Sequence, residues 1–329
     1  MHSDFYLNLL DEIADGVYFV SLDRRITYWN AGAEHITGYT AAEVVGHSCS
    51  EGILRHVNGV GTQLCRHGCP LAAVMRDGKK READVYLHHK DGHRVPVSVR
   101  GQALRDDAGD IIGSVEIFSP RIASPYAVTP MTAADASLDP VTHLPPRRMG
   151  EARLESMLAD VRSDDLSLGV IFADLDRFKD INDTYGHTTG DRVLRMAGQS
   201  IANALLRGDL PVRWGGEEFV VLLPGADRES LEATAERIRM LVANSWLQCG
   251  EAEVRITVSV GATMATGDDT AESLLDRADR HMYRSKRAGR NRVTTDSDTL
   301  TVTAEEPLRG SRAPWEMPEF ADRFDSAIP

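Results

Sequence analysis

The chain is poor in cysteine, with 4 in 329 residues, and poor in aromatic side chains, at 6%. So few thiols cannot build the disulfide framework that holds small secreted folds together. A basic surplus is also missing: 37 Lys and Arg stand against 50 Asp and Glu, a formal net charge of −13. Displacing counterions from nucleic-acid phosphates needs the opposite balance, so a nucleic-acid partner is not expected. Small phosphate-bearing ligands remain open, because a few main-chain N–H groups, one or two cations and a metal can hold them. No apolar run reaches the length of a bilayer span, which predicts no membrane insertion. The longest runs, residues 166–173 and 219–224, read as strands. Met1-His2-Ser3-Asp4, with Asp11 and Glu12 soon after, offers no basic segment ahead of an apolar one. That predicts no signal peptide and a cytoplasmic protein. What the chain does have is a balanced globular composition, 42% hydrophobic and 26% charged, over a length that suits two domains.

The texture changes along the chain. Residues 4–119 alternate short strands and helices. Tyr6, Leu9, Leu10 and Ile13 share a helical face, Gly16 ends that helix, and residues 17–20 and 26–29 are strand-like. Thr40-Ala41-Ala42-Glu43 is a capping-box pattern that starts a helix. Residues 82–89 and 94–104 read as strands around Lys90-Asp91-Gly92-His93, where Asp-Gly signals a hairpin. A turn at 106–110 leads into a strand over 111–118. Residues 120–138 are a linker in which Pro120, Pro125 and Pro130 rule out one continuous helix. Residues 139–296 read as an α/β domain. Residues 297–329 are acidic and aperiodic, read as a disordered tail, with Trp315 and Phe320 as its apolar points.

The first region resembles a PAS domain, an antiparallel sheet with flanking helices. The resemblance rests on Gly16-Val17-Tyr18 to Asp23, Ile26-Thr27-Tyr28-Trp29-Asn30, Thr37-Gly38-Tyr39 and Lys90-Asp91-Gly92. It implies a sensor architecture without naming a ligand. Trp29 and Tyr39 are either cofactor-lining or, more simply, core. Cys49, Cys65 and Cys69 cluster here, with His47, His56 and His67 nearby. They read as a candidate metal or thiol-redox sensor, against the alternative of small buried cysteines in a glycine-rich loop. Cys249 stands alone and reads as structural.

The chemistry is concentrated in the second region. A nearly all-apolar strand ends in Ala173-Asp174-Leu175-Asp176, and a carboxylate there is costly without a cation or hydrogen bonds. Arg177-Phe178-Lys179-Asp180-Ile181-Asn182-Asp183 follows, then Gly186-His187, Gly190-Asp191 and an amphipathic helix through Val193, Leu194, Ala197, Ile201 and Leu205. Two strands, 211–214 and 217–223, flank Gly215-Gly216, read as a two-residue hairpin turn where a phosphate can approach the main chain. On a strand Glu217 and Glu218 would face opposite sides, so only one could share a site with Asp174. Two carboxylates and a carbonyl suit Mg²⁺.

Asp174-Leu175-Asp176-Arg177-Phe178-Lys179, Asn182-Asp183, Gly186-His187, Gly190-Asp191, Gly215-Gly216-Glu217-Glu218-Phe219, Ala278-Asp279, Met282-Tyr283 and the run Lys286 to Asn291 resemble the GGDEF diguanylate cyclases, in the GGEEF spelling. The resemblance implies a palm-like domain, a central mixed sheet surrounded by helices, that condenses two GTP into cyclic di-GMP under control of the PAS domain. It implies Mg²⁺ (or Mn²⁺) on Asp174, Glu217 and the Leu175 carbonyl, with Glu218 as a further acid. Asn182 and Asp191 would read guanine, and Leu144 would touch the base. Lys286 and Arg290 would clamp the triphosphate, Lys179 would offset phosphoryl charge, and Arg177 and Phe178 N–H groups, with Gly215 and Gly216, would cradle phosphate. Each domain would hold one GTP, so a two-fold homodimer would be part of the catalysis.

Two departures stand out. The family's opening motif resembles Leu-Thr-Gly-Leu-Pro-Asn-Arg-Arg; here it is Val141-Thr142-His143-Leu144-Pro145-Pro146-Arg147-Arg148. The family's inhibitory product site, an Arg-x-x-Asp, falls on Leu206-Arg207-Gly208-Asp209 and is degenerate, with Leu206 in place of the arginine. Alternative readings are a catalytically silent cyclic di-GMP or GTP receptor and a PAS-driven interaction protein.

Overall fold

In the computed structural model the described residues are 2–49, 52–66, 68–121, 138–163 and 166–298. Most of the expected tail, most of the expected linker and His67 lie outside them, while Ser297 and Asp298, expected to begin the disordered tail, close a short 3-10 turn that Ser297 ties to Arg228 and Glu232. The chain divides into two compact units.

The first unit is built on a five-stranded sheet in the order β2-β1-β5-β4-β3, with strands β1 (Gly16–Ser21), β2 (Ile26–Trp29), β3 (Arg81–His88), β4 (Arg94–Arg105) and β5 (Ile111–Pro120). The β1–β2, β1–β5 and β4–β5 pairs are antiparallel. Helices α2 (Ala31–Thr37), α3 (Ala41–Val44) and α4 (Pro70–Asp77) lie between β2 and β3 in sequence. Asn30 ties the start of the unit together. Its buried Oδ1 accepts from the N–H groups of Val17 and Ala33, both at 2.8 Å, which caps α2 and joins it to β1. The expected capping box forms at α3. The core is Tyr18, Val20, Trp29, Ile36, Leu71, Val85, Val97 and Phe118 with their neighbours. Trp29 is core, its Nε1 donating to the Tyr39 carbonyl at 3.0 Å. The N-terminal helix α1 (His2–Asp11) departs from the expected pattern: Tyr6 and Leu9, on its apolar face, are exposed.

The second unit has a mixed sheet in the order β12-β11-β6-β8-β7: β6 (Leu168–Leu175), β7 (Leu210–Gly215), β8 (Glu218–Pro224), β11 (Val258–Met264) and β12 (Val293–Thr295). The β11–β12 pair is parallel and the others antiparallel. Strand β6 is central and buried along its whole length, which accounts for its unbroken apolar sequence. Alternation sends Leu168, Val170 and Phe172 to one face, against α5 (Arg147–Arg162) and α9 (Ala271–Arg287). Gly169 points the other way, toward Leu231 of α8 (Arg228–Asn244). Helices α6 (Phe178–Tyr185) and α7 (His187–Asn203) follow β6, and β9 (Trp246–Cys249) pairs with β10 (Ala252–Arg255) as a separate hairpin. A side chain on Gly261 would meet the Ala278 carbonyl at 2.1 Å and the Met282 nitrogen at 2.2 Å. Glycine there lets α9 lie directly on β11, and so fixes where the end of α9 falls.

Candidate functional site

Asp174 continues the Leu168–Val170–Phe172 face at the end of β6, so it points toward α9. It is 5% exposed. Its Oδ2 is 2.7 Å from the Lys286 ammonium on the last turn of α9, while Oδ1 is buried with no hydrogen-bond partner. Burial pushes the carboxyl above the ordinary carboxylate range, Lys286 opposes the shift, and the charges of Asp176 and Asp279 add to it.

The turn after β7 falls one residue later than the sequence suggested. Gly215 is still strand, and the turn is Gly216-Glu217, with φ +37° at Gly216. Glu217 therefore escapes strand alternation. Its carbonyl accepts from the Leu175 N–H at 3.2 Å, while Glu218 pairs in register with Asp174 across β6 and β8. The expected alternation of the two glutamates along one strand therefore does not hold, because Glu217 lies in the turn and Glu218 opens β8. Both glutamates are raised above the ordinary range, first by burial and then by the charge of Asp174. A buried carboxylate oxygen without a partner, under the repulsion of two half-buried glutamates, fits a hard, oxygen-seeking divalent ion that keeps water and phosphate among its ligands. Among the described residues no three His, Cys, Asp or Glu side chains form a group that could hold a metal. The set at issue is thus two carboxylates and a main-chain carbonyl, with water and phosphate left to complete the shell.

The other expected residues divide. Arg177 takes a left-handed conformation, φ +57°, immediately before α6, and Phe178 opens that helix with its ring buried. Lys179 is exposed on α6. Asn182 is half-buried, and its Oδ1 lies against Gly190 of α7 so closely that no Cβ would fit. Asp191 follows, exposed. Arg177 and Arg290 line one cavity of about 580 Å³ with Asp176, Arg255 and Asn291. The expected clamp is therefore split: Arg290 belongs to this cavity, whereas Lys286 neutralises Asp174. Leu144 is fully buried, near Gly198 and Phe219, so it forms part of the wall and does not offer a surface to a base. Leu206 is 66% exposed, and Asp209 accepts from the Leu206 N–H at 2.8 Å, closing a local turn.

Sequence reasoning missed three residues. Asp176 accepts from Thr257 and Ser259 at 2.6 Å and from the Asn291 N–H at 3.0 Å, so it holds the loop that carries Arg290. Asp279 adds its charge to Asp174 and Glu218 from α9. Arg213, two residues before the double glycine, lies over the Phe219 ring at 5.3 Å, and its Nε and one terminal nitrogen are buried without partners. It feels the charges of Asp139, Asp191 and Glu217. An arginine in an otherwise apolar strand was the available signal.

With the geometry in place, comparison with known proteins identifies both units. Residues 14–119 match the family described as "PAS domain", and residues 136–292 match "Diguanylate cyclase, GGDEF domain". The chain joins a PAS domain to a GGDEF domain. It is 33% identical over 217 residues to diguanylate cyclase DgcP of Pseudomonas aeruginosa, covering 66% of this chain and 31% of that protein. It is 32% identical over 287 residues to the probable diguanylate cyclase DgcE of Escherichia coli K12, covering 87% and 25%. The chain thus spans a third or less of these relatives' own length. Among solved structures, the GGDEF domain of DgcB from Caulobacter crescentus, in complex with c-di-GMP, is 33% identical, covering 51% of this chain and 97% of that one, with a TM-score of 0.47. No helix among the described residues is long and apolar enough to cross a membrane.

Proposed function

We propose that this PAS–GGDEF protein is a diguanylate cyclase, joining two GTP into cyclic di-GMP with release of two pyrophosphates, and that the PAS domain regulates it. The observation that carries the reading is the Asp174 carboxylate, one oxygen on Lys286 and the other unpartnered, with Glu217 in the adjacent turn and Glu218 paired across from it at the start of β8.

Asp174, Glu217 and the Leu175 carbonyl would hold Mg²⁺ or Mn²⁺, and Glu218 would add charge beside them. The ion, when bound, would lower the pKa of an attacking hydroxyl and stabilise charge on the leaving pyrophosphate. The remaining work falls to the chain. Asn182 and Asp191 read the N1–H and N2–H edge of guanine, two adjacent donors that adenine lacks. Arg177, with its left-handed backbone at the start of α6, and the Phe178 N–H turn donors toward phosphate. Gly215 and Gly216 admit phosphate close to the backbone. Arg290 and Lys179 supply positive charge, and Lys286 is placed to exchange its carboxylate for a phosphate oxygen when a divalent ion takes over Asp174. The 3′-hydroxyl of one GTP then attacks the α-phosphate of the other. That needs two GGDEF domains face to face, hence a homodimer. The division into sensor (4–119), linker (120–138), catalytic domain (139–296) and tail (297–329) belongs to the same reading.

The test is turnover: purified chain with GTP and Mg²⁺ should yield cyclic di-GMP and pyrophosphate. Binding of GTP or cyclic di-GMP with no product would overturn the enzymatic reading and leave a receptor.

A further inference from the structure

The PAS domain contains a second group of reactive side chains that the cyclase reading does not use. Tyr18, Cys49, Leu54, His56, Leu64, Cys65, Cys69, Pro70, Leu71 and Glu116 enclose one cavity. It measures about 10 Å³, room for at most one water and far too small for a flavin or haem. Three thiols, separated by up to 20 positions in sequence, therefore line the same very small space. They differ in access. Cys49 is buried, and burial, then the neighbouring Cys69 and Cys65, push its thiol far above the ordinary range. Cys65 and Cys69 are half-exposed. Cys65 Sγ lies 4.0 Å from Nδ1 of His56, whose Nε2 faces the Glu116 carboxylate at 3.6 Å.

The geometry points to a thiol oxidation site in which Cys65 reacts first with a hydroperoxide and Cys69 then closes a disulfide with it. His56 takes the Cys65 thiol proton. The thiolate attacks a peroxide oxygen, the O–O bond breaks, and the departing hydroxide takes a proton to leave as water, so Cys65 becomes a sulfenic acid. The Cys69 sulfur attacks it, the S–S bond forms, the S–O bond breaks, and a second water leaves. Two thiols give up two electrons, and one hydrogen peroxide becomes two waters. Cys49, deep and held as a thiol, takes no part. The site adjoins β5: Glu116 accepts from the Tyr18 hydroxyl at 3.0 Å, and β5 is the strand that ends the PAS domain at Pro120.

Trypsin separates the four cysteines, because it cuts after Arg25, Arg55, Arg66, Arg76, Arg239 and Arg255. The full chain, reduced and then desalted without oxygen, is treated with a small excess of hydrogen peroxide, denatured, alkylated and digested. The expected product links the 56–66 and 67–76 peptides, lighter by two hydrogens, and reverts with dithiothreitol. Cys49 and Cys249 remain alkylated. Cys65→Ser and Cys69→Ser each lose the link, and His56→Gln forms it several-fold more slowly with an unchanged thermal midpoint. Four alkylatable thiols after peroxide, a link that uses Cys49, or stoichiometric zinc shielding all three PAS thiols would each overturn the assignment. None of these readouts depends on GTP turnover.

Discussion

The two domains place acids out of water in opposite ways. Among the described residues of the PAS domain one carboxyl, Glu116, is entirely enclosed; burial raises it to about 7, the Tyr18 hydroxyl opposes the shift, and His56 Nε2 lies 3.6 Å away. In the GGDEF domain a buried acid, Asp174, stands beside two half-buried ones, Glu217 and Glu218. They are raised by burial and by one another, and Lys286 is the nearest counter-charge. A buried acid is a cost to folding that the fold can remove by keeping its proton. Acids that repel across a strand end instead hold an affinity for a cation, because a divalent ion relieves all of them at once. The first arrangement suits a closed core that feels its surroundings, the second an open site that recruits a metal and a polyphosphate.

The largest expected effect breaks the second arrangement. Glu217→Ala should bring GTP turnover down to background while leaving the unfolding midpoint unchanged or slightly higher, since Asp174 and Glu218 repel the charge that is removed. Turnover assays and thermal melts on the same preparation read both outcomes. Normal turnover would remove Glu217 from the site, and a large drop in midpoint would make it a structural residue.

Much of this contrast was legible in the sequence. The acids stood at the end of an apolar run, and the capping box at Thr40 and the hairpin signal at Asp91-Gly92 follow from local rules. What was not legible depended on distant partners. Nothing local brings Lys286 to Asp174; that requires α9 to pack on β11 at Gly261. The one-residue shift of the turn to Gly216-Glu217 was hidden because Gly215-Gly216 is the more obvious turn pair. Leu144 was assigned to a ligand surface by resemblance, yet it is enclosed by the domain's own core.

A smaller effect sharpens the first arrangement. Glu116 has a folded pKa of about 7, raised from 4.5. The folded state is therefore favoured by the protonated acid below about pH 4.5, and that advantage is lost as pH rises through about 7. The full span is on the order of 3 kcal/mol at 1.36 kcal/mol per unit. Glu116→Gln keeps a polar partner for Tyr18 and removes the charge. Urea unfolding of the PAS transition should show the variant gaining most of that difference at pH 8 and little at pH 5. An equal effect at both values would show that titration of Glu116 is not the source.

The degenerate inhibitory site gives a third comparison, within the GGDEF domain. With Leu206 exposed and Asp209 engaged in its own turn, cyclic di-GMP should not inhibit turnover at sub-micromolar concentration. Leu206→Arg restores the arginine of the family's inhibitory motif and should make turnover sensitive to product without changing the initial rate. Initial rates with added cyclic di-GMP distinguish the two proteins. Strong inhibition of the unsubstituted chain would mean that another arginine serves.

The smallest effect concerns backbone strain, which is also unevenly placed. Arg24 and Arg55 are the non-glycine residues with positive φ among the described PAS residues. The GGDEF domain has His143, Arg177, Arg290 and Asn291. Three of these four line the Arg177–Arg290 cavity, and backbone strain of this kind clusters at functional sites. His143 is different: it sits at φ +58° where the family has glycine, in a turn held by the Asp139 carboxylate through the N–H groups of Val141 and Thr142. A left-handed residue with a Cβ costs about 1–2 kcal/mol. Glycine recovers that but gives up about 0.5–1 kcal/mol through the greater freedom of its unfolded chain. His143→Gly should thus stabilise the domain by up to about 1.5 kcal/mol in urea unfolding, and His143→Ala should not, because it keeps the Cβ. If glycine instead destabilises the domain, the imidazole contributes contacts that outweigh the strain. The position would then be an adaptation of this chain and not a tolerated departure.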